Sequence, residues 1–308
     1  MAADVACMPE RVGTLPERGE ILVHVLRHPT VCLGGLLLAA YVLVAVFAPA
    51  LAPIDPDQVD LARRLLPPAW EAGGMWSHLL GTDQLGRDLL SRMVIGTRVS
   101  LLVGLITVLI SHLLGVGLGC LAGYYRGRVD AVLSRLGELL LAFPYLIFAI
   151  GAMSMLGPGF WNLIWALAFK GWVEFYRLSR GEMLAEKEKA YVEAAHALGR
   201  QDLAIVVREI LPNVFHTTLV LATLRVGYMI VLEASLSFLG LGIPPRIPAW
   251  GSMVNDGREV MLTAWWVATL PGLALMGAVL AMNLLGEGLR EALDPRLRSS
   301  RPAPLAAA

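Results

Sequence analysis

The chain reads as an all-α integral membrane protein with six transmembrane helices, and three observations lead there. Of its 308 residues, 56% are hydrophobic and 16% charged, with a mean hydropathy of +0.64, outside the range of soluble domains. Its apolar stretches come in lengths near the roughly 20 residues that a helix needs to cross hydrocarbon. Between two of them lies a charged, helix-forming stretch, residues 180–213, which does not belong in lipid.

Taken in order, the first span covers 31–52 without a charged residue. No cleavable leader is expected, because this first apolar run is long enough to stay in the membrane. Residues 53–98 follow as an extracytoplasmic segment, made irregular by Pro53, Pro56, Pro67 and Pro68. Leu85, Leu89 and Met93 share one face, which predicts a surface helix from Gly81 to Thr97 beside the second span. Asp83 with Arg87 and Asp88 with Arg92 have the spacing of helical ion pairs. The second span, 99–122, is also uncharged, and the third, 132–156, carries Pro144 as an expected kink. Gly157-Pro158-Gly159 separates it from the fourth, 160–178, which contains Lys170 and Glu174. The fifth runs over 214–241 and the sixth over 262–285, with a kink expected at Pro271. Residues 1–30 and 287–308 are then tails, and 99–286 form a five-helix core.

The 180–213 stretch predicts a helical hairpin. Glu182 to Leu198 is rich in helix formers, Gly199 can end that helix in a left-handed cap, and Asp202 can cap a second helix running to the break at Pro212. The small Ala194-Ala195 pair allows another backbone to approach, and Glu193 offers a carboxylate to a basic or amide partner. With the N-terminus placed inside the cell, sixteen of the 25 Lys and Arg fall in inside segments and seven outside. The positive-inside rule therefore puts the hairpin and both termini in the cytoplasm.

Several function classes fall away. Net charge is zero, so no field points to nucleic acid. Cys7, Cys32 and Cys120 have no metal-ligand or disulfide spacing, and no metal site is expected. There is no GxSxG or HExxH, and Ser111 and His112, as sequence neighbours, point to different helix faces, so no catalytic residues are assigned. His112 and His216 read as packing or interfacial residues. A secondary carrier would need no cytoplasmic hairpin and often shows inverted repeats, of which none is evident.

Glu193-Ala194-Ala195, then Gly199, then Leu211-Pro212 resemble the EAA signature of permease subunits of binding-protein-dependent ABC importers. His78-Leu-Leu-Gly-Thr-Asp83 with Gly86-Arg-Asp88 and Ser91-Arg92, and Pro248-Ala-Trp-Gly251, are similar to the second permease of the dipeptide, oligopeptide and nickel group. The ending Gly286-Glu-Gly-Leu-Arg290 and Leu293-Asp-Pro-Arg-Leu297 fits it too. One departure is Glu209, where the broader pattern prefers isoleucine; Ile210 can take over the apolar role. The resemblance spans about Leu26 to Leu297. It implies a type I importer permease fold in the inner membrane. The expected partners are a second permease, two cytoplasmic ATPases and an extracytoplasmic solute-binding protein. ATP and Mg would bind to the ATPases, in keeping with the lack of a GxxxxGK[ST] loop here. Glu193, Ala194, Ala195, Gly199, Leu211 and Pro212 would then couple the permease to an ATPase. The implied cargo is di- or oligopeptides, with nickel or glutathione-like compounds as the alternative.

The charges inside spans need partners. Arg225 and Glu233 lie about 12 Å apart along one helix, too far for a direct pair, so Glu138, Lys170 and Glu174 are candidate partners. Either intra-bundle pairing or exposure of Arg225 and Glu233 to the pore accounts for them. Residues 53–98 and 242–258, with Arg246 and Trp250, form a candidate landing surface for the binding protein.

Overall fold

The computed structural model describes residues 28–293; the tails on either side, with Cys7 and the 294–297 part of the terminal motif, lie outside the described residues. The long elements are α1 (Pro29–Leu51), α2 (Leu89–Tyr125), α3 (Gly127–Ala142), α4 (Tyr145–Leu156) and α5 (Phe160–Lys187). Two short helices, α6 (Ala190–Ala197) and α7 (Asp202–Ile205), lead through a π-turn at Val206–Ile210 into α8 (Leu211–Phe238). The short α9 (Trp250–Arg258) and the long α10 (Trp266–Leu293) complete the described chain, which holds no named strand.

Helices α1, α2, α10 and the continuous stretch Asp202–Phe238 are each long and apolar enough to cross a membrane. The third expected span is different: α3 and α4 are apolar enough together, but a bend of 93° separates them. Pro144 is the cause. Its ring disfavours helical backbone at the residue before it, and Phe143 is extended at φ −90° and ψ 136°, so the helix stops instead of kinking. Helix α5 has the length for a span at 28 residues, but Lys170 and Glu174 interrupt its apolar character. Pro271, by contrast, lies inside α10, which continues beyond it to Leu293.

The expected 81–97 helix begins only at Leu89. Gly81 and Gly86 adopt left-handed backbone at φ +83° and +72°, which holds residues 81–88 in turns. Asp88 then caps α2, accepting from the Ser91 backbone N–H at 2.8 Å. The expected break at Pro212 is absent too. The π-turn widens the backbone ahead of Pro212, whose ring would otherwise press on the carbonyl four residues back, and the helix runs on.

The most extensive packing joins α2 to α5. Gly115, Gly119 and Gly123 recur every four residues along α2 and make a seam for the α5 backbone. A Cβ at Gly115 would lie 2.5 Å from the Phe175 Cβ, one at Gly119 2.6 Å from the Tyr176 carbonyl, and one at Gly123 2.9 Å from that of Arg180. The main core fills the space between α2, α4, α5 and α8 with Val103, Met153, Leu163, Leu167, Phe175 and Ile230. Beyond the exposed Arg98, α2 carries an exposed apolar stripe, Leu102, Leu105, Leu109, Leu113 and Leu121, and α1 adds Leu36, Leu43, Val46 and Phe47. A surface with this composition suits lipid.

Candidate coupling hairpin and in-span charges

At the end of the bundle where α2 reaches Tyr125, the chain folds into the hairpin α6–α7. The single helix expected over 182–198 is in fact two: α5 ends at Lys187 and α6 restarts at Ala190. Glu186 fastens this corner, accepting from Lys189 Nζ at 2.5 Å and from the Tyr191 hydroxyl at 2.8 Å. Burial opposes ionisation of Glu186, but those two hydrogen bonds and the Lys189 charge outweigh it and hold the carboxyl below its ordinary 4.5. Burial and the bond to Glu186 raise the Tyr191 phenol.

Gly199 closes α6 at φ +72°. Its N–H reaches the His196 carbonyl at 2.9 Å and that of Arg200 reaches Ala195 at 3.2 Å, the paired bonds of a Schellman cap. Asp202 does not cap α7, whose N-cap is Gln201; its carboxylate instead accepts from the Tyr124 hydroxyl at 2.9 Å, which ties the hairpin to α2. Lys187 adds a second tie, donating to the Tyr124 carbonyl at 2.7 Å. Val192, Ala195, Ile205, Val206 and Ile210 pack with Val116, Cys120 and Met183 beneath. Glu209 faces outward to Arg200 while Ile210 is buried and takes the apolar role.

The six EAA residues therefore divide. Glu193, Ala194, Gly199 and Pro212 are exposed, Leu211 is half-buried, and Ala195 is buried, so its small side chain serves the hairpin's own packing and not an outside backbone. Two apolar side chains that the motif does not name stand beside them: Leu198 is 81% exposed and Leu203 64%. The signal for Leu198 was its place next to the capping glycine, where an apolar residue gains nothing from its own fold.

In the middle of the bundle, Arg225 meets Glu174, one of the three candidate partners, at 2.5 Å. Each sits midway along a 28-residue helix, α8 and α5 respectively. The pair is half-open, with side chains 28% and 30% exposed. The Arg225 guanidinium lies 5.3 Å from the Tyr228 ring, and Tyr228 packs edge-on against Tyr145 at 5.8 Å. Lys170 caps the interrupted α3 by donating to the Phe143 carbonyl. A charge facing hydrocarbon costs at least about 2.5 kcal/mol, so the face carrying Arg225 and Glu174 does not suit lipid. Glu233 is fully buried, one oxygen accepting from the Ser237 hydroxyl at 2.8 Å, and this places it within the chain's own bundle and not on a pore surface. His112 donates or accepts at Thr218 (3.0 Å) between Phe175 and Phe215, a packing role.

At the opposite end, Asp83 is a hub. Its carboxylate accepts from the Leu85 and Arg87 backbone N–H groups at 2.8 and 3.0 Å and from Arg87 Nε at 2.6 Å, with Arg92 Nε at 3.8 Å. The expected Asp88–Arg92 pair does not form: Asp88 is taken up by capping α2 and by His78 at 3.0 Å, and Arg92 turns to the Pro56 carbonyl at 3.1 Å. Trp250 is fully buried with its N–H on the Met93 carbonyl at 3.2 Å, which assigns it to packing and leaves Arg246 as the exposed member of the candidate landing pair.

Residues 115–299 match the family model described as the inner membrane component of binding-protein-dependent transport systems. The chain belongs to that family. A second model, the N-terminal transmembrane domain of oligopeptide transport permease C, matches residues 20–68 of this permease. Among its relatives, the di/tripeptide transport permease DppC of Pseudomonas aeruginosa is 43% identical over 89% of this chain and 90% of its own. The dipeptide transport permease DppC of Haemophilus influenzae is 40% identical over 86% and 90%, and the glutathione transport permease GsiD of Pectobacterium atrosepticum 41% over 89% and 89%. The chain is thus a multi-pass inner-membrane permease subunit, from a family of transport components and not of enzymes.

Proposed function

We propose that this permease forms half of the translocation pore of an ATP-driven importer for di- and oligopeptides. The observation that carries the substrate class is the 43% identity, over nearly the whole chain, to a di/tripeptide permease. A second homologous permease completes the pore, two ATPases hold ATP and Mg and carry out the hydrolysis, and a solute-binding protein delivers the peptide. Both termini and the α6–α7 hairpin face the cytoplasm. The excess of Lys and Arg in the segments on that side supports this orientation.

Coupling runs through the hairpin. Glu193, Ala194, Gly199, Leu211 and Pro212, with Leu198 and Leu203, seat in a cleft of one ATPase, while Ala195 braces them from inside. The ties from Tyr124 to Asp202 and from Lys187 to Tyr124 make the hairpin rigid with α2, so closure of the ATPase pair rotates the spans and changes the side to which the pore opens.

Co-expression with the native neighbouring genes, affinity purification on this chain and mass spectrometry test the assembly. A second permease and ATPases are expected in the wild-type preparation, with the ATPases lost from a Gly199→Trp variant. A wild-type chain that purifies alone overturns the importer reading.

A further inference from the structure

We propose that Arg225 and Glu174, with Tyr228 and Tyr145, form a seat on the transport pathway for the opposite charges of a zwitterionic peptide. The inference rests on the peptide-importer reading and adds to it a place where the cargo is held.

Three observations meet at this point. The pair sits midway along both α5 and α8, yet it remains half-open. A charged pair left open to hydrocarbon is costly, so the opening at Arg225 looks onto water or protein. The break between α3 and α4 lies beside it: Tyr145 is the first residue of α4, and its ring packs against Tyr228. A helix interrupted at membrane depth is tolerated where it is enclosed by protein or lines a watery cavity, and Lys170 on the Phe143 carbonyl settles the broken end from the protein side.

The pair also differs from a structural one. Around Asp83, both arginines are nearly enclosed and every oxygen is used. Arg225 has five N–H donors and, among the described residues, no hydrogen-bond partner besides Glu174, with the Tyr228 ring at its side. Its spare donors suit a carboxylate taken in two-pronged fashion, and Glu174 with the two tyrosine rings suits an ammonium. When peptide arrives, its termini replace the mutual bond of the pair. The charges are satisfied both empty and loaded, so the seat holds its cargo without trapping it, as a conducting site must.

The test uses the complete complex in proteoliposomes, with labelled dialanine delivered by the binding protein and uptake counted per ATP hydrolysed. Arg225→Gln and Glu174→Gln are each expected to lower that ratio at least tenfold, with subunit recovery and ATP hydrolysis within twofold of wild type. The double variant decides the role. A structural pair suffers because a single substitution leaves one charge unpaired, so removing both restores transport; a peptide seat stays at or below the single variants. Tyr228→Cys is expected to react with a water-soluble anionic thiol reagent and to be shielded by dialanine-loaded, but not empty, binding protein. A double variant at wild-type uptake, or a thiol in the Tyr228→Cys variant that does not react or is not shielded, overturns the seat while leaving the importer intact. Wild-type complex that takes up no dialanine overturns the peptide reading itself, and the seat falls with it.

Discussion

At the loop end of the molecule, Asp83, Arg92 and Trp250 are buried, the half-buried Arg87 is bonded to Asp83, and Gln84 reaches across to the Asp256 carbonyl at 2.7 Å. At the hairpin end, Leu198, Leu203 and Val207 stand out into the surroundings, and a few hydrogen bonds from Tyr124, Lys187 and Glu186 hold the α6–α7 turn to the bundle. The Asp83 cluster satisfies its charges within the chain, although the same end also exposes Trp76 and Leu262. The hairpin end leaves apolar surface over, as the proposed docking on an ATPase requires. Exposed apolar groups gathered on a short rigid turn are the mark of a docking element, whereas enclosed ion pairs mark a strut.

Breaking the strut has the largest expected effect. Asp83→Ala takes from the enclosed Arg92 one of its two carboxylates, leaving Asp57 at 3.7 Å, and frees two backbone N–H groups; about 3 kcal/mol of stability should be lost. Thermal unfolding in detergent measures it, and a change near zero would show that the loop end is not a strut. Next comes the docking element. Leu198→Asp should alter stability by no more than about 0.5 kcal/mol, since the side chain is exposed, yet reduce uptake per complex about tenfold or more, equivalent to roughly 1.4 kcal/mol of coupling. Equal uptake at equal assembly would return Leu198 to the ordinary surface.

Tyr191→Phe removes one neutral donor from the Glu186 carboxylate and should loosen the α5–α6 corner by about 1.5–3 kcal/mol locally at most. Hydrogen exchange of residues 186–192 reads this, with α2 as an unchanged reference. The smallest effect is on pH, and it has opposite signs at the two ends. Glu186 is held below its ordinary value, so its contribution to the folded hairpin is complete above that value and is lost as pH falls through the folded pKa. Burial raises Asp256 despite Arg87 and Arg92, so the α9 corner is firmer when that carboxyl is protonated, and lowering the pH adds to its stability. Hydrogen exchange between about pH 7 and 3 should show protection falling at 186–191 below about pH 4.5 and rising near 253–257, with Glu186→Gln removing the first trend.

The cap at Gly199 and the turn at Gly157-Pro158-Gly159 were legible because one glycine in a left-handed conformation or one proline acts through its neighbours alone. Pro144 was legible as an interruption but not in its degree: whether a proline kinks or ends a helix depends on what meets the freed carbonyl, and here Lys170, 27 residues along the chain from Phe143, provides the partner. Arg92 shows the same limit. Spacing offered it Asp88, but that carboxylate was needed to cap α2 and to meet His78, so the guanidinium turned elsewhere. Trp250 read as a surface aromatic, and only the approach of α2 at Met93 makes it a buried one.

By itself the sequence determined that this is a membrane-spanning helical permease with a charged hairpin outside the bilayer, because hydrocarbon demands long apolar helices and rejects charge wherever it occurs. The tertiary structure alone decided which charges meet, Arg225 with Glu174 and not Glu138, and which face of each helix is left open. Those outcomes depend on distances between segments far apart in the chain, and hydrophobic periodicity, which reports only whether a residue faces water or apolar surroundings, does not contain them.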